Sequence, residues 1–330
     1  MGFIQGCNIC NTPKEIGELK ADNRTNNSEN SKARKAFEIR LRNHREASIL
    51  SENSITKIIT HINASANEID FPTEILSEKP KNAFKTGVVQ FRDGDRFQGY
   101  VSKNFTKDGF GTYIKANGYI FKGLWKNNEI GDYTCIIDPE GNYFKGKLVN
   151  GQANGNGEMV INKRIKYKGN FTNNLPNQKG ILENYIDNSI YEGELDNGVM
   201  SGKGILKFKD GTIYEGNFFN NKYEGFGKLK FKNGNIYEGN FHKNFFNGKG
   251  KYIYNDGKIF EGEFQMGLKY GFGKLSWSSN KYFDGFWINN KQHGEGIFYN
   301  NGDTLKVLFR YGKIIMKLEK ENILNNKAYK

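Results

Sequence analysis

Cys7 and Cys10 stand two residues apart, a spacing that can hold zinc or a redox disulfide, and Cys135 is the one other cysteine. A structural zinc site needs four ligands. His44, His61, His242 and His293 complete the inventory without a second close pair, so the spacing does not add up to a metal site. No βαβ pattern surrounds the pair either, which argues against thioredoxin-like exchange. Glu192, Glu215, Glu238 and Glu261 recur at even spacing and imitate catalytic carboxylates; surface residues pairing with lysines on neighbouring strands explain them better. Gly-x-Gly pairs abound, yet none opens a helix and no phosphate-loop Gly-Lys-Ser/Thr follows. His293 takes a position filled by Ser201, Glu224 and Asn247 elsewhere, which argues against a catalytic role. The chemistry legible here thus includes no catalytic residue, no metal site and no cofactor. Modification is the remaining candidate: Gly2 after the initiator methionine, with Cys7 and Cys10 close by, fits dual acylation. Phe3 and Gly6 depart from the acylation pattern, and an unmodified start is the alternative.

The elements that carry these residues follow from a repeat. An aromatic-x-Gly triplet ends at Gly99, Gly123, Gly146, Gly169, Gly193, Gly216, Gly239, Gly262 and Gly285, at intervals of 23 or 24 residues. Between them fall Gly-x-Gly pairs such as Gly202/Gly204, Gly225/Gly227, Gly248/Gly250 and Gly271/Gly273, and turn pairs such as Asp210-Gly211, Asn233-Gly234 and Asp256-Gly257. Asp-Gly and Asn-Gly between alternating segments are hairpin signals. In the unit 214–236, Tyr214, Gly216 and Phe218 share one strand face, and Gly225, Gly227, Leu229 and Phe231 share one on the partner strand. Glu215, Asn217, Lys228 and Lys230 take the opposite face. A three-residue loop of Lys232, Asn233 and Gly234 sets Leu229 opposite Tyr237 and Gly227 opposite Gly239, whereas a two-residue loop would split the rings between faces. The segment from His242 to Asn247 is expected to cross to the next hairpin.

These residues resemble the MORN (membrane occupation and recognition nexus) repeat. Its Tyr-Glu-Gly, following aromatic, Gly-x-Gly and turn glycine are matched by Tyr214-Glu215-Gly216, Phe218, Gly225-Phe226-Gly227 and Gly234. The signature recurs at Tyr191, Gly193, Tyr237, Gly239, Gly248, Gly250, Phe260, Gly262, Gly271 and Gly273. The resemblance implies an all-β fold: an elongated, single-layer, twisted antiparallel sheet of about nine to ten successive hairpins over residues 84–312, about 90 Å across at the usual strand spacing. Departures at Tyr133, Arg164, Gln178, Ser189, Leu305 and Val307 predict irregularity, and a kink in the 123–193 region. A single layer also predicts an uncovered aromatic face able to self-associate.

Residues 1–83 are a polar segment with a basic helix expected over 32–62, where Ile55, Ile58, Ile59 and Ile62 keep helical spacing. Residues 313–330 read as a terminal cap. The chain's formal charge of +13 divides into +1 for residues 1–83 and +12 for the rest. A basic array favours acidic partners, and Lys203, Lys207, Lys228, Lys230, Lys251 and Lys274 are the candidate contacts. The basic residues are too dispersed among acidic ones for nucleic acid. No run approaches a membrane-spanning helix, and neither a secretory signal nor a disulfide framework is apparent, so a cytoplasmic location is expected. The resemblance further implies a non-enzymatic scaffold or adaptor for cytoskeletal or cortical proteins at the inner face of a membrane, the cell cortex or a cilium. Direct binding of anionic lipids such as phosphoinositides, with no protein partner, is the alternative.

Overall fold

The computed structural model describes residues 83–91, 93–102 and 106–321. Gly2, Cys7, Cys10 and the basic segment 32–62 lie outside the described residues. The described residues form one open antiparallel sheet of 21 strands, β1 (Ala83–Gln90) to β21 (Lys313–Glu321) in chain order, each paired with its sequence neighbours. They contain no helix.

The centre of the array shows how the sequence builds it. In β12 (Ile213–Phe219), β13 (Lys222–Lys230) and β14 (Ile236–His242), apolar and polar positions alternate as a half-buried strand requires. Leu229 faces Tyr237 and Gly227 faces Gly239. The loop between β13 and β14 is the expected three residues: the Phe231 N–H donates to the Asn235 carbonyl at 2.9 Å, and Gly234 takes φ +89°. Only glycine enters that region cheaply.

The other end of each hairpin corrects the sequence reading. No segment crosses from His242 to Asn247; His242 pairs with Phe245, the first residue of β15 (Phe245–Ile253), around a two-residue turn. Lys243 (φ 50°) and Asn244 (φ 73°) are both left-handed, the geometry of a type I′ turn. The side chain of Asn244 makes that turn an anchor as well: its Oδ1 accepts from the Tyr223 N–H at 2.7 Å, while its own N–H donates to the Tyr223 carbonyl at 3.1 Å. Asn128, Asn174, Asn221 and Asn290 make the same pair of bonds to Lys107, Ala153, Met200 and Lys269. Successive hairpins are therefore stitched along one margin of the sheet.

The rings fill the other face rather than leaving it uncovered. Tyr191, Tyr214, Tyr237, Phe260 and Phe283 are all buried. Tyr214 lies flat across its own strand: a methyl on Gly216 would sit 2.6 Å from both its hydroxyl and the Gly227 Cα. Tyr223 stacks on it at 3.6 Å, and Phe218 and Phe241 meet it edge-on at 5.0 and 5.1 Å. Tyr237 repeats the arrangement with Phe246, Phe241 and Phe264. Each ring buried this way contributes about 2 kcal/mol, and part of that cover comes from the next repeat, as Phe241 on Tyr214 shows. That dependence is the nearest-neighbour stability of repeat arrays. The rings expected to form an uncovered aromatic face are instead packed on one another.

Pairing runs unbroken through the irregular region. Gln178 (φ 60°) and Lys163 (φ 53°) adopt the left-handed backbone that glycine supplies elsewhere. Asp187 closes the loop at Ser189, accepting from the Ser189 hydroxyl at 2.7 Å. Thr134 fills a glycine position and donates its hydroxyl to the Gly131 carbonyl at 3.2 Å. Near the C-terminal end Leu305 replaces the ring, and Val307 is buried where glycine would otherwise be needed.

Candidate functional site

With the rings turned inward, the opposite face carries the side chains able to meet a partner. Cross-strand register arranges its charges. Glu215, Lys228, Glu238, Lys251, Glu261, Lys274 and Asp284 face one another strand by strand in a single row of alternating sign. Lys228 reaches Glu238 at 3.5 Å and Lys251 reaches Glu261 at 2.6 Å. Lys274 leaves the row, placing its amine 3.7 Å from the centre of the Tyr282 ring. Exposed pairs of this kind add at most about 1 kcal/mol each. Their larger effect is to neutralise the lysines within the sheet.

All six lysines picked out by sequence lie on this face, but not as one cluster. Lys228, Lys251 and Lys274 belong to the row just described. Lys207 and Lys230 flank Ile213 in a second row, and Lys203 pairs with Asn217 in a third. The signature residues divide by role. Tyr191, Tyr214, Tyr237 and Phe260 are core rings, Gly193, Gly216, Gly227, Gly239, Gly250, Gly262 and Gly273 make room for them, and Gly225, Gly248 and Gly271 take positive φ at bulges.

A groove of about 1310 Å³ runs along the same face between Tyr133 and Glu238. Five lysines (145, 168, 179, 203 and 228) and five glutamates (158, 192, 194, 215 and 238) line it, over a floor of strand glycines with Ile181, Ile205 and Phe226. The lining is balanced in charge although the array carries +12. Ile205 stands between Glu192 and Glu215 in register, so lysines do not oppose these two carboxylates directly across the strands on that side. The groove offers paired charges and isolated apolar contacts together.

Sequence reasoning missed two lysines that lie on the ring face. Lys269 occupies the position held by Tyr223 and Phe246 in preceding repeats and is buried. Its amine donates to the Tyr254 hydroxyl at 2.6 Å and lies about 5 Å from the centres of Phe260 and Trp287. Burial pushes its pKa down to about 8. Lys107 holds the same position early in the array, 4.4 Å from the centre of Tyr113 and 5.3 Å from Trp125, and burial lowers its pKa too. In both repeats the following aromatic is tryptophan, whose indole N–H donates to a glycine carbonyl: Trp125 to Gly111 at 3.0 Å and Trp287 to Gly273 at 2.7 Å. That lysine–tryptophan pairing was the available signal. Cys135 is fully buried, and desolvation raises its thiol to about 12, so it is held as an unreactive core residue.

The MORN repeat family matches residues 191–213, 214–236, 237–259, 260–282 and 283–304. Residues 191–304 are therefore five consecutive MORN repeats. Such repeats are generally associated with protein and membrane binding, and the family is typically non-catalytic. No curated protein matches the chain. Among solved structures, the TCP domain of SAS-4 (dCPAP) from Drosophila melanogaster, in complex with a proline-rich motif of Ana2, is 15% identical, with 60% of this chain and 88% of that chain covered and a TM-score of 0.27. Virginiamycin B lyase from Staphylococcus aureus is also 15% identical, with 76% and 88% covered and a TM-score of 0.14. Neither score is high enough to carry an argument.

Proposed function

We propose that this chain is a non-catalytic scaffold that holds a protein partner in the charged groove, linking it to a membrane or cytoskeletal structure. The observation that carries this reading is the lining itself: five lysines balanced by five glutamates around Ile181, Ile205 and Phe226. Alternating charge with apolar contacts suits a protein segment, whose own charges and side chains alternate. A phosphoinositide surface would be better served by uncompensated basic residues. The second reading, direct lipid binding, is supported by the +12 of the array and by Gly2, Cys7 and Cys10 as candidate anchor residues.

Proximity labelling in cells tests the first reading. Glu192→Lys with Glu215→Lys should remove the protein neighbours labelled by the wild type, and an unchanged set of neighbours would overturn it. Co-sedimentation with phosphoinositide vesicles tests the second. Salt-sensitive binding that survives Gly2→Ala and Cys7→Ser would favour the sheet as a lipid surface, whereas loss on those substitutions would favour an acyl anchor.

A further inference from the structure

An Asn-Gly pair carries a reaction of its own. The glycine backbone nitrogen, with no side chain beside it, attacks the asparagine Cγ; a C–N bond forms, the Cγ–Nδ2 bond breaks and ammonia leaves. Water then opens the succinimide at either carbonyl, giving aspartate or isoaspartate. The attack needs a glycine nitrogen free of hydrogen bonds and a backbone able to open locally. The chain has eight such pairs, and the fold restrains seven of them. Asn154-Gly155 and Asn156-Gly157 lie in the ladder of β7 (Gln152–Ile161), and Asn247-Gly248 in that of β15. The Gly118 and Gly234 N–H groups donate to the Lys115 and Phe231 carbonyls, both at 2.9 Å, and the Gly198 N–H donates to the Pro176 carbonyl at 2.8 Å. At Asn301-Gly302 the asparagine N–H donates to the Asn280 carbonyl at 2.8 Å.

Asn150-Gly151 differs from all of these. It forms the turn between β6 (Tyr143–Val149) and β7, with both residues exposed and left-handed at φ 51° and 74°. Every other turn of this margin from Asn128 to Gly312 donates a backbone N–H to the preceding repeat, whereas Gly151 makes no such bond to Ile130 among the described residues. A Cβ at Gly151 would meet nothing within 4 Å. The turn is closed by the Val149–Gln152 pair beneath it and is stitched to nothing else. We propose that Asn150 is a spontaneous deamidation site, the fastest of the eight. The reaction replaces a neutral amide with a carboxylate on the basic array and, in the isoaspartyl product, adds a methylene to the turn backbone. That addition breaks no contact between repeats, because this turn is the one without a stitch.

Peptide mapping by mass spectrometry tests it, on the full chain aged at neutral pH and on an aliquot aged in guanidinium chloride. The denatured aliquot gives the rate of each pair without protection by the fold. In the folded chain Asn150 should react within about 3-fold of that rate, while Asn117, Asn197 and Asn233 slow by about 10-fold or more, the rate equivalent of a hydrogen bond that must first break. Enzymatic methylation of isoaspartyl carboxylates should label the peptide containing residue 150 first, and Asn150→Gln should remove that label. The aged, labelled chain should keep the urea-unfolding midpoint of fresh protein. Protection of Asn150 equal to that of Asn197, faster reaction at any other pair in the folded chain, or a lowered midpoint once residue 150 has reacted would overturn the proposal.

Discussion

Residues 96–190 and residues 191–304 use the same strand pairing with different side chains. In the later stretch Tyr191, Tyr214, Tyr237, Phe260 and Phe283 each lie over a glycine pair and meet further rings. In the earlier one Phe97, Phe144 and Tyr167 keep the glycine crossing, but Thr134 interrupts it beside Phe121. The position held by Met200, Tyr223, Phe246, Lys269 and Gln292 in one stretch is held by Lys107, Ile130, Ala153 and Pro176 in the other, so each stretch places one lysine there. The lesson is that two features suffice to propagate the sheet: a ring crossing a strand pair that has no Cβ, and turns that accept left-handed backbone. Edge-on ring pairs occur in both stretches, Phe171 meeting Phe144 and Tyr167 at 5.0 and 5.2 Å, whereas the flat stacks of Tyr223 on Tyr214 and Phe246 on Tyr237 belong to the later one and are an addition to that scheme.

The strongest way to break this comparison is to put a methyl into one crossing in each stretch. At Gly227 it would lie 2.5 Å from the Tyr214 hydroxyl and 2.7 Å from the ring. At Gly157 it would lie 2.9 Å from the Phe144 ring and 3.0 Å from the Lys145 carbonyl. Displacing a buried ring against backbone falls at the upper end of overpacking costs, about 3 kcal/mol. Gly227→Ala and Gly157→Ala should therefore lower stability by similar amounts, read by urea unfolding and by local amide exchange. A near-neutral Gly157→Ala would mean that the earlier hairpins are held by some other contact.

Lys269 gives the next largest effect and sharpens the contrast in the slot facing the rings. Its pKa falls from an ordinary 10.5 to about 8 because the ammonium is desolvated. Below pH 8 both folded and unfolded chains carry the proton, and the full cost of burying the charge applies. Between pH 8 and 10.5 the folded chain releases the proton first, so stability rises with pH and the cost is relieved. The gap corresponds to about 3 kcal/mol, part of which the ring faces return. Lys269→Met, the residue found at position 200, should gain about 2 kcal/mol at pH 7, and thermal melts should show that gain vanishing near pH 10. Above pH 10 both proteins should lose stability, because unfolded tyrosines ionise while burial holds Tyr214 and Tyr237 protonated.

These two cases also mark how far the sequence could be read. Strand pairing, the Lys232–Gly234 loop and the space-making glycines were legible because glycine and aromatic residues recur in phase, and each has a local steric meaning. The turn at Lys243-Asn244 was not, because it lacks the Asn-Gly pair that announces a type I′ turn; only the recurrence of Asn128, Asn174, Asn221 and Asn290 betrays it. Lys269 was hidden for another reason. A lysine in an apolar position reads as surface unless its cage is known, and the cage comes from Tyr254, in the loop after β15, and Trp287, on another strand. The alternation of charge on the outer face was visible, but the rotation of Lys274 onto Tyr282 depends on side-chain packing that no spacing encodes.

A smaller effect tests the ring slot without a charge. Tyr223 stacks on Tyr214 as Phe246 stacks on Tyr237, at 3.6 and 3.7 Å, yet the Tyr223 hydroxyl is buried without a hydrogen-bond partner. An unsatisfied buried hydroxyl costs about 1 kcal/mol or more. Tyr223→Phe should raise stability by about 1 kcal/mol with the aromatic packing intact, as measured by urea unfolding. A loss instead would show that the hydroxyl contributes more than its geometry indicates.

The smallest effect concerns the charges. Lys251–Glu261 at 2.6 Å belongs to the stretch matched by the family, and Lys166–Glu158 at 3.5 Å to the one before it. Both pairs are partly open to water, so double-mutant cycles should give coupling of about 0.5 kcal/mol in each, falling further in high salt. Equal and small values would mean that the two stretches differ in their rings and not in their ion pairs. The Lys–Glu alternation would then contribute little to holding the sheet together. Its consequence would be electrostatic: each carboxylate of the row from Glu215 to Asp284 faces a lysine, which keeps that part of the face neutral towards a charged partner.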